Sequence, residues 1–389
     1  MIAICNANLV GESDIQPNGV LLIEDKRITA IGSSFSIVIP PHATVFDAKG
    51  AYVGPGFVDI HVHGGGGAML HSSPLVAASH FLSHGTTTLL AACYTDLDTA
   101  GMLDAISRVK EAMKDDGVGK IIGGLYMEGP YMNPKYGAQP EKNQWRGPIQ
   151  AKQYEAFVEK AGNFAKVWVV APERDGLIPF LNKVMEANPH AVVSVGHSEA
   201  TPEEIMALKP YGLRLQTHST NATGCLPTSK GTKGCGPDEA CFLDDDIYAE
   251  VICDSQGIHV QPNMLKLILK IKGADKIVLI SDSFVSEEPN PESLSHVTDL
   301  SFDANGNLCG SMLTLDVACR NMMRHTGCSM VDAFLMASRN PAHVIGMDDD
   351  IGTLAVGKKA NLVLVDGEFH VKAIFLEGKL LSNECITEE

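Results

Sequence analysis

The sequence is poor in positive charge. It has 30 Lys and Arg residues against 47 Asp and Glu residues, and the formal net charge of the 389-residue chain is −17. A protein that binds DNA or RNA needs a basic face to neutralise the phosphate backbone. The charge balance therefore argues against a nucleic-acid partner, although a few local cations suffice for one phosphate group of a small molecule.

Long apolar runs and paired cysteines are also missing. No run approaches the roughly 20 residues that a membrane span needs, and residues 1–10 lack the basic start and apolar core of a secretory signal. The 10 cysteines show no paired spacing, which is typical of free thiols in a reducing compartment. We therefore expect a cytoplasmic protein with no membrane partner. A zinc knuckle of Cys225, Cys235 and Cys241 stays open as an alternative, although its spacings are irregular.

What is present is a regular alternation of apolar runs with segments of helical spacing. The helical segments include 99–114, 150–161, 177–187 and 262–271, and Thr201 before Pro202 is predicted to cap another helix. Eight strands that alternate with helices predict a closed parallel (β/α)8 barrel, with an open doubly wound sheet as the alternative. The eight runs are 57–63, 86–94, 120–129, 166–173, 191–198, 213–219, 248–255 and 276–283.

The two ends of the chain show strand-like runs of another kind. Runs 20–23 and 27–31 flank a hairpin turn and follow a predicted turn at 16–19, while 361–365 and 369–376 are separated by Asp366 and Gly367. We therefore predict an α/β fold in which both ends of the chain build one small domain. This β-sandwich domain is predicted to comprise residues 1–53 and 347–389, with a TIM-type barrel inserted as residues 54–346.

Ligand-type side chains fall at the ends of the predicted barrel strands. In a parallel barrel these ends share one face, where active sites are built. A single histidine there is more often a core residue, and a single carboxylate is more often a helix cap. Six together form a nitrogen and oxygen set that suits Zn²⁺ or Fe²⁺, and they predict a metal site. The six residues are His61, His63, Glu128, His197, His218 and Asp282.

Several motifs carry a resemblance to a known family. Residues 55–64 read PGFVDIHVHG, and they are followed by MEGPY at 127–131, GHS at 196–198, TH at 217–218 and SD at 281–282. The first motif resembles the first-strand signature of the amidohydrolase superfamily. The others are similar, in the same order, to the N-acetylglucosamine-6-phosphate deacetylase family, and the resemblance runs through nearly the whole chain.

The resemblance implies a reaction and a role for each residue. It implies a homodimeric, metal-dependent hydrolase that removes the acetyl group from an amino sugar, N-acetylglucosamine 6-phosphate or a close N-acetylhexosamine, with one or two zinc or iron ions. Asp282 is implied as the general base and acid. The implied metal ligands are Glu128, His197 and His218 for a principal ion and His61 and His63 for a second. The implied substrate contacts are His259, Asn221 and the backbone of Ala222.

Two positions depart from the family pattern. Gln139 stands where family members carry a histidine that touches the sugar, and we expect Gln139 to keep a hydrogen bond there. The arginine with which the family holds the phosphate from the neighbouring subunit is also missing. Lys230 and Lys233, in a glycine-rich loop, are one possible replacement as point charges. The alternative is that both lysines are solvated and the substrate carries no phosphate.

Two other functions stay open. One is another amide hydrolase of the same superfamily, acting on an N-acyl amino acid or a cyclic amide. The other is a metal-containing binding protein without turnover. Glu128 stands where many relatives have a carboxylated lysine, which weighs against the cyclic-amide type. Asp282 weighs against a pure binding protein, since binding needs no proton shuttle.

Overall fold

The structure of this protein is a computed structural model that describes residues 1–225, 231–286 and 288–383. Its strands are formed by buried aliphatic runs. In chain order the strands are β1 Ile2–Val10, β2 Ile15–Glu24, β3 Arg27–Ser33, β4 Thr44–Asp47, β5 Tyr52–Pro55, β6 Phe57–Val62, β7 Gly64–Gly65, β8 Ala68–Met69, β9 Thr86–Cys93, β10 Ile122–Met127, β11 Ala165–Val170, β12 Val192–Val195, β13 Leu213–Gln216, β14 Tyr248–Ile252, β15 Ile277–Ile280, β16 Leu300–Phe302, β17 Leu308–Ser311, β18 Leu362–Val365, β19 Val371–Leu376 and β20 Lys379–Asn383. Strand β15 is aliphatic and buried throughout, as expected of a parallel strand covered on both faces.

Helices separate most of the strands in the middle of the chain. They are α1 Pro74–Ser83, α2 Thr99–Ala112, α3 Ala151–Ala161, α4 Leu177–Ala187, α5 Pro202–Met206, α6 Pro237–Leu243, α7 Pro262–Lys272, α8 Leu315–Thr326, α9 Met330–Phe334 and α10 Asn340–Val344. The predicted cap is confirmed, because Thr201 Oγ1 accepts from Glu204 N at 3.3 Å and Thr201 N donates to the Glu204 carboxylate at 2.8 Å. Within the described residues, no helix combines the length and the apolar character that crossing a membrane requires.

Eight parallel strands form the predicted barrel, in the order β6-β9-β10-β11-β12-β13-β14-β15. Each predicted run overlaps one of these strands. Where β15 and β6 end, backbone hydrogen bonds join the two edges of the sheet: Asp282 N donates to His61 O, and His63 N donates to Ser283 O, both at 2.9 Å. The sheet therefore closes at the end that carries the ligand-type side chains. The barrel is confirmed over the open sheet.

Alternate residues of a barrel strand face the helices and the interior. On β9, Leu89 and Ala91 pack in one cluster with residues of α1 and α2. Leu90 and Ala92 belong to a second cluster with residues of β10 and β11. Val62 lies in the helix-side cluster, so its two neighbours in sequence point into the barrel mouth, as predicted.

The ends of the chain form one sheet in the order β20-β19-β18-β5-β1-β2-β3, with β4 pairing parallel to β1. The sheet folds over its own core, and the rings of Phe46 on β4 and Phe375 on β19 lie 5.3 Å apart. The predicted small β domain made from both termini is confirmed. The division of the chain at residues 54 and 346 stays a prediction. The buried core of this sheet contains Ile4, Leu9, Leu21, Ile23, Ile28, Val53, Leu362, Leu364 and Phe375.

The turn predicted at residues 16–19 is wrong. These residues lie inside β2, which pairs antiparallel with β1 through Leu9 and Gln16 and through Ala7 and Gly19. The register shifts on either side of Ala7, and Asn18 has a φ of 49°. Pairing along β1 therefore absorbs the turn residues as a bulge, which bends the strand without ending it.

The start of the strand predicted at residue 369 is also wrong, since β19 begins at Val371. Phe369 has a left-handed φ of 59°. The Asp366 carboxylate accepts from the backbone N–H of Glu368 and His370, both at 2.9 Å. This side chain extends the turn by holding its backbone, and such local bonds compete with strand pairing.

Three aromatic rings join the barrel to the terminal sheet. The ring of Phe334, at the end of α9, lies 5.8 Å from the ring of Phe57 on β6 and 5.1 Å from the ring of Phe369. Gly54 on β5 lies against the edge of Phe334, where an added Cβ would fall 2.2 Å from a ring carbon. Glycine at this position therefore allows the two parts of the fold to pack closely.

Substitution of Gly54 by alanine tests this junction. We expect Gly54→Ala to destabilise the fold by about 1–3 kcal/mol, because Phe334 is held on both sides and overpacking forces a shift. The measurement is the midpoint of thermal or urea unfolding. Gly147→Ala is the control, since no atom lies within 4 Å of its added Cβ. Equal midpoints for the two variants would contradict the packing argument.

Candidate metal centre

Three of the six ligand-type residues have a left-handed backbone. The φ angles are 47° for His197, 27° for His218 and 46° for Asp282, each just after a barrel strand. A left-handed conformation at a non-glycine residue costs on the order of 1–3 kcal/mol, and it persists only where the surrounding structure imposes it. The sharp turn carries each side chain over the barrel mouth. Such strain is typical of functional positions.

The Glu128 carboxylate lies at the centre of the mouth and uses both oxygens. Its Oε2 is 2.9 Å from His63 Nε2 and 3.4 Å from His61 Nε2. Its Oε1 is 2.8 Å from His197 Nε2 and 3.2 Å from His218 Nε2. The carboxylate therefore lies between two pairs of imidazoles, all of them buried.

Asp282 completes the group on one side. Its Oδ1 is 3.3 Å from His63 Nε2 and 3.6 Å from His61 Nε2. The structure thus brings all six predicted residues together as two sets whose ligand atoms lie within 4.8 Å of one another. The first set is His61, His63, Glu128 and Asp282, and the second is Glu128, His197 and His218. We call these six residues the ligand cluster.

The outer ring nitrogens show which lone pairs face the cluster. His218 Nδ1 is 3.2 Å from the carbonyl oxygen of Asn221, and His61 Nδ1 is 3.3 Å from the Glu250 carboxylate. Both partners are acceptors, so Nδ1 carries a proton, and Nε2 is the nitrogen whose lone pair can face a cation in the cluster. His61 Nε2 is buried without a hydrogen-bond partner in the described structure. Converging lone pairs of this kind fit a divalent metal cation.

Burial and the two carboxylates compete in setting the charges of the cluster. Burial lowers the pKa of His61 and His63, but Asp282 and Glu128 outweigh it and raise both, to about 9 for His63. Burial raises the pKa of the two carboxyl groups, yet the histidines hold each below its usual range. At His197 burial prevails and the pKa is lowered. The ionised carboxylates give the barrel mouth negative charge, which attracts cations.

Glu250 supports the cluster from below and was not predicted from the sequence. It is fully buried in β14, where its Oε2 accepts from Tyr126 Oη at 3.0 Å and from His218 N at 3.3 Å, besides facing His61. One carboxylate thus holds two strands and fixes one imidazole. A glutamate in the middle of an otherwise apolar strand was the signal for it in the sequence.

A cavity of about 460 Å³ opens above the cluster. The predicted substrate contacts Gln139, Asn221, Ala222 and His259 all lie on its wall. The Asn221 side-chain nitrogen is buried without a partner among the described residues. The structure therefore places these four residues where a bound molecule would contact them.

His259 is fixed in the cavity wall by Asp254. Its Nδ1 is 3.1 Å from Asp254 Oδ2, and its Nε2 is 3.1 Å from the carbonyl oxygen of Gly310. Burial would raise the pKa of Asp254, but hydrogen bonds from the His259 ring and from the backbone at residues 258 and 259 hold it at about 2. The ionised Asp254 orients the ring, so that Nε2 faces Gly310 on the cavity wall.

The remaining predicted residues lie outside this cavity or outside the described residues. Lys233 Nζ is 2.5 Å from Glu239 Oε1, and its side chain is 79% exposed. Lys230 lies outside the described residues. In the described ranges, the groups that could hold a metal contain no cysteine, so nothing in the structure supports the zinc-knuckle alternative.

Removal of the Glu250 charge tests its role beneath the cluster. We expect Glu250→Gln to weaken metal binding about 10- to 100-fold, because His61 then faces a neutral amide, a weaker acceptor than the carboxylate that fixes its tautomer. The measurement is the metal dissociation constant by competition with a chromogenic chelator. Asp316→Asn is the control, since it alters another buried carboxylate beside a histidine, His84, outside the cluster. Unchanged affinity in Glu250→Gln would contradict this role.

Comparison with known proteins agrees with the site. The N-acetylglucosamine-6-phosphate deacetylase of Bacillus subtilis (strain 168) is 27% identical, over 96% of this chain and 95% of that protein. The N-acetylgalactosamine-6-phosphate deacetylase of Escherichia coli O157:H7 is 28% identical, over 92% and 96%. The crystal structure of N-acetylglucosamine-6-phosphate deacetylase from Pasteurella multocida superposes with a TM-score of 0.85 at 26% identity, over 98% of this chain and 100% of the other.

The family match extends over the barrel and over the strands β5, β18 and β19 of the terminal sheet. The family model for the amidohydrolase family matches residues 52–381. These residues include the whole ligand cluster and the strands that return from the barrel to the sheet. The resemblance read from the sequence is thereby confirmed, and the chain belongs to the amidohydrolase family.

Proposed function

We propose that this protein is a metal-dependent deacetylase of amino sugars. Its substrate is N-acetylglucosamine 6-phosphate or a close N-acetylhexosamine, with or without the phosphate, and its products are acetate and the free amino sugar. The observation that carries the proposal is the Glu128 carboxylate between two imidazole pairs, with Asp282 beside it at the base of a cavity. The names of the related deacetylases support the amino-sugar substrate.

Five residues of the cluster would hold the metal. Glu128, His197 and His218 are the proposed ligands of a principal ion, and His61 and His63, sharing Glu128, are those of a second. Their nitrogen and oxygen donors suit zinc or iron, as one ion or two. A bound divalent cation supplies Lewis acidity toward a carbonyl oxygen and lowers the pKa of water.

Asp282 is the proposed general base and acid. Its pKa is held low beside His61 and His63, so that it is ionised and able to accept a proton from the attacking water. The same proton then passes to the leaving amine nitrogen, which is a poor leaving group until it is protonated. One carboxylate serves both steps, because the proton that it accepts is the one that it returns.

The cavity wall is proposed to position the acetamide group. His259, oriented by Asp254, donates from Nε2 toward the carbonyl oxygen as negative charge develops there. Asn221 and the backbone of Ala222 contact the sugar, and Gln139 forms a hydrogen bond with it from the loop above. A homodimer and a cytoplasmic location stay predictions from the sequence.

Replacement of Asp282 tests the proton transfer. We expect Asp282→Asn to lower kcat about 10²- to 10⁴-fold, the usual contribution of a general base. It should still bind metal through Glu128, His197 and His218. The measurement is acetate release from metal-loaded enzyme with N-acetylglucosamine and its 6-phosphate. Asp96→Asn, a carboxylate on the same cavity outside the cluster, is the control and should keep most of the activity. Activity in Asp282→Asn close to that of the wild type would remove this residue from the mechanism.

Removal of the metal tests the cluster as a whole. We expect a chelator to abolish acetate release and to lower the unfolding temperature, because a ligand at 100 times its Kd stabilises the folded state by about 2.7 kcal/mol. Added Zn²⁺ or Fe²⁺ should restore both, and metal analysis should show one or two ions per chain. Full activity in protein shown to be metal-free would refute the proposal. Metal binding without hydrolysis of any N-acetylated sugar would instead favour another amide hydrolase or a binding protein.

A further inference from the structure

The described part of the cavity wall contains one lysine or arginine, Lys142. Four carboxylates line the same cavity: Asp96, Glu128, Asp282 and Asp303. Glu128 and Asp282 belong to the ligand cluster, so their charges face the histidines and the cation that the cluster fits. Lys142 is therefore the cationic group of this wall that is free to meet a negatively charged part of a substrate.

A short turn presents Lys142 to the cavity. Residues Pro140–Lys142 form a single 3₁₀ turn after Gln139, whose φ is 51°. Lys142 N donates to Gln139 O at 2.9 Å, and the Gln144 side chain donates to Lys142 O at 2.9 Å. The backbone is held on both sides, while the exposed ammonium group forms no ion pair with a described carboxylate. A lysine placed in this way is available to an incoming anion.

Contacts across the cavity connect Lys142 with the site of the reaction. His259 Nε2 lies 3.1 Å from Gly310 O, and the next residue, Cys309, has its sulfur 3.8 Å from Gln139 Nε2. Burial raises the pKa of the Cys309 thiol to about 12, and Lys142 is close enough for its charge to oppose the increase. Lys142 therefore lies on the rim of the cavity, close to Gln139, which is one of the proposed substrate contacts.

The two carboxylates outside the cluster, Asp303 and Asp96, do not neutralise the charge of Lys142. Asp303 accepts from the backbone N–H of Asn305 and Asn307, both at 2.9 Å, within its own turn. Asp96 is exposed, and charges on an exposed side chain are screened by salt and water. Neither carboxylate is paired with Lys142.

We propose that Lys142 binds the phosphate of a 6-phosphorylated N-acetylhexosamine and so selects the phosphorylated sugar. This rests on the proposed deacetylase function. In a pyranose ring C2, which carries the acetamide, lies opposite C5, which carries the phosphorylated C6. An acetamide at the ligand cluster therefore directs the phosphate toward the rim. Lys233, by contrast, is paired with Glu239 and lies off the cavity wall.

The test measures binding and turnover separately. Equilibrium binding of glucosamine 6-phosphate and of glucosamine, the products, is measured by calorimetry on metal-loaded wild type, Lys142→Ala, Lys142→Arg and Lys233→Ala. We expect Lys142→Ala to raise Kd for the phosphorylated sugar about 10- to 100-fold, as for a lost charge-assisted contact. Binding of the free sugar should stay unchanged, and Lys142→Arg should keep most of the affinity. Lys152→Ala, an exposed lysine on α3, is the control.

Each outcome decides the proposal. Loss of affinity confined to the phosphorylated sugar and to Lys142→Ala supports it. Unchanged affinity in Lys142→Ala, an equal loss for both sugars, or a loss in Lys233→Ala in its place would overturn it. Acetate release from the N-acetylated sugars is measured in parallel. If wild type binds the phosphorylated sugar through Lys142 but releases no acetate, the phosphate site stands and the deacetylase proposal fails.

Discussion

One buried carboxylate, Glu128, determines the arrangement of the active end of the barrel. Its two oxygens approach His63 Nε2 at 2.9 Å and His197 Nε2 at 2.8 Å, with one further imidazole on each side. A buried charge is costly unless it is matched, so the strand ends around it must supply matching groups at fixed positions. The left-handed backbone of His197, His218 and Asp282 is tolerated because a closed and tightly packed barrel holds it.

The barrel and the ligand cluster could be predicted from the sequence because both are consequences of one topology. Parallel strands covered on both faces appear as aliphatic runs, and polar residues at the ends of such runs must meet at one face. Contacts between distant residues could not be predicted in this way. Glu250 supports His61 from another strand, the hairpin of β16 and β17 reaches the cavity, and pairing with β1 overrides the turn at residues 16–19. The local sequence pattern does not show which distant residues a side chain will contact.

The cavity has an inner wall and a rim with different origins. Strand ends form the inner wall, so its residues are set by the barrel. The rim consists of the loop around Gln139 and the turn between β16 and β17, which the barrel constrains less. The fold therefore fixes the inner wall more tightly than the rim.

The rim and the inner wall are nevertheless in contact at Gly137. Its φ is 103°, and an added Cβ would lie 2.5 Å from Tyr94 Oη and 2.9 Å from His197 Nδ1. The loop backbone thus packs directly on a residue of the ligand cluster, and Tyr94 also donates to Ala138 O at 3.4 Å. A substitution at Gly137 would disturb the cluster, whereas one at Gln139, two residues further, changes a side chain that lines the cavity and contacts Cys309. The rim can therefore vary in its side chains only where its backbone path over His197 is kept.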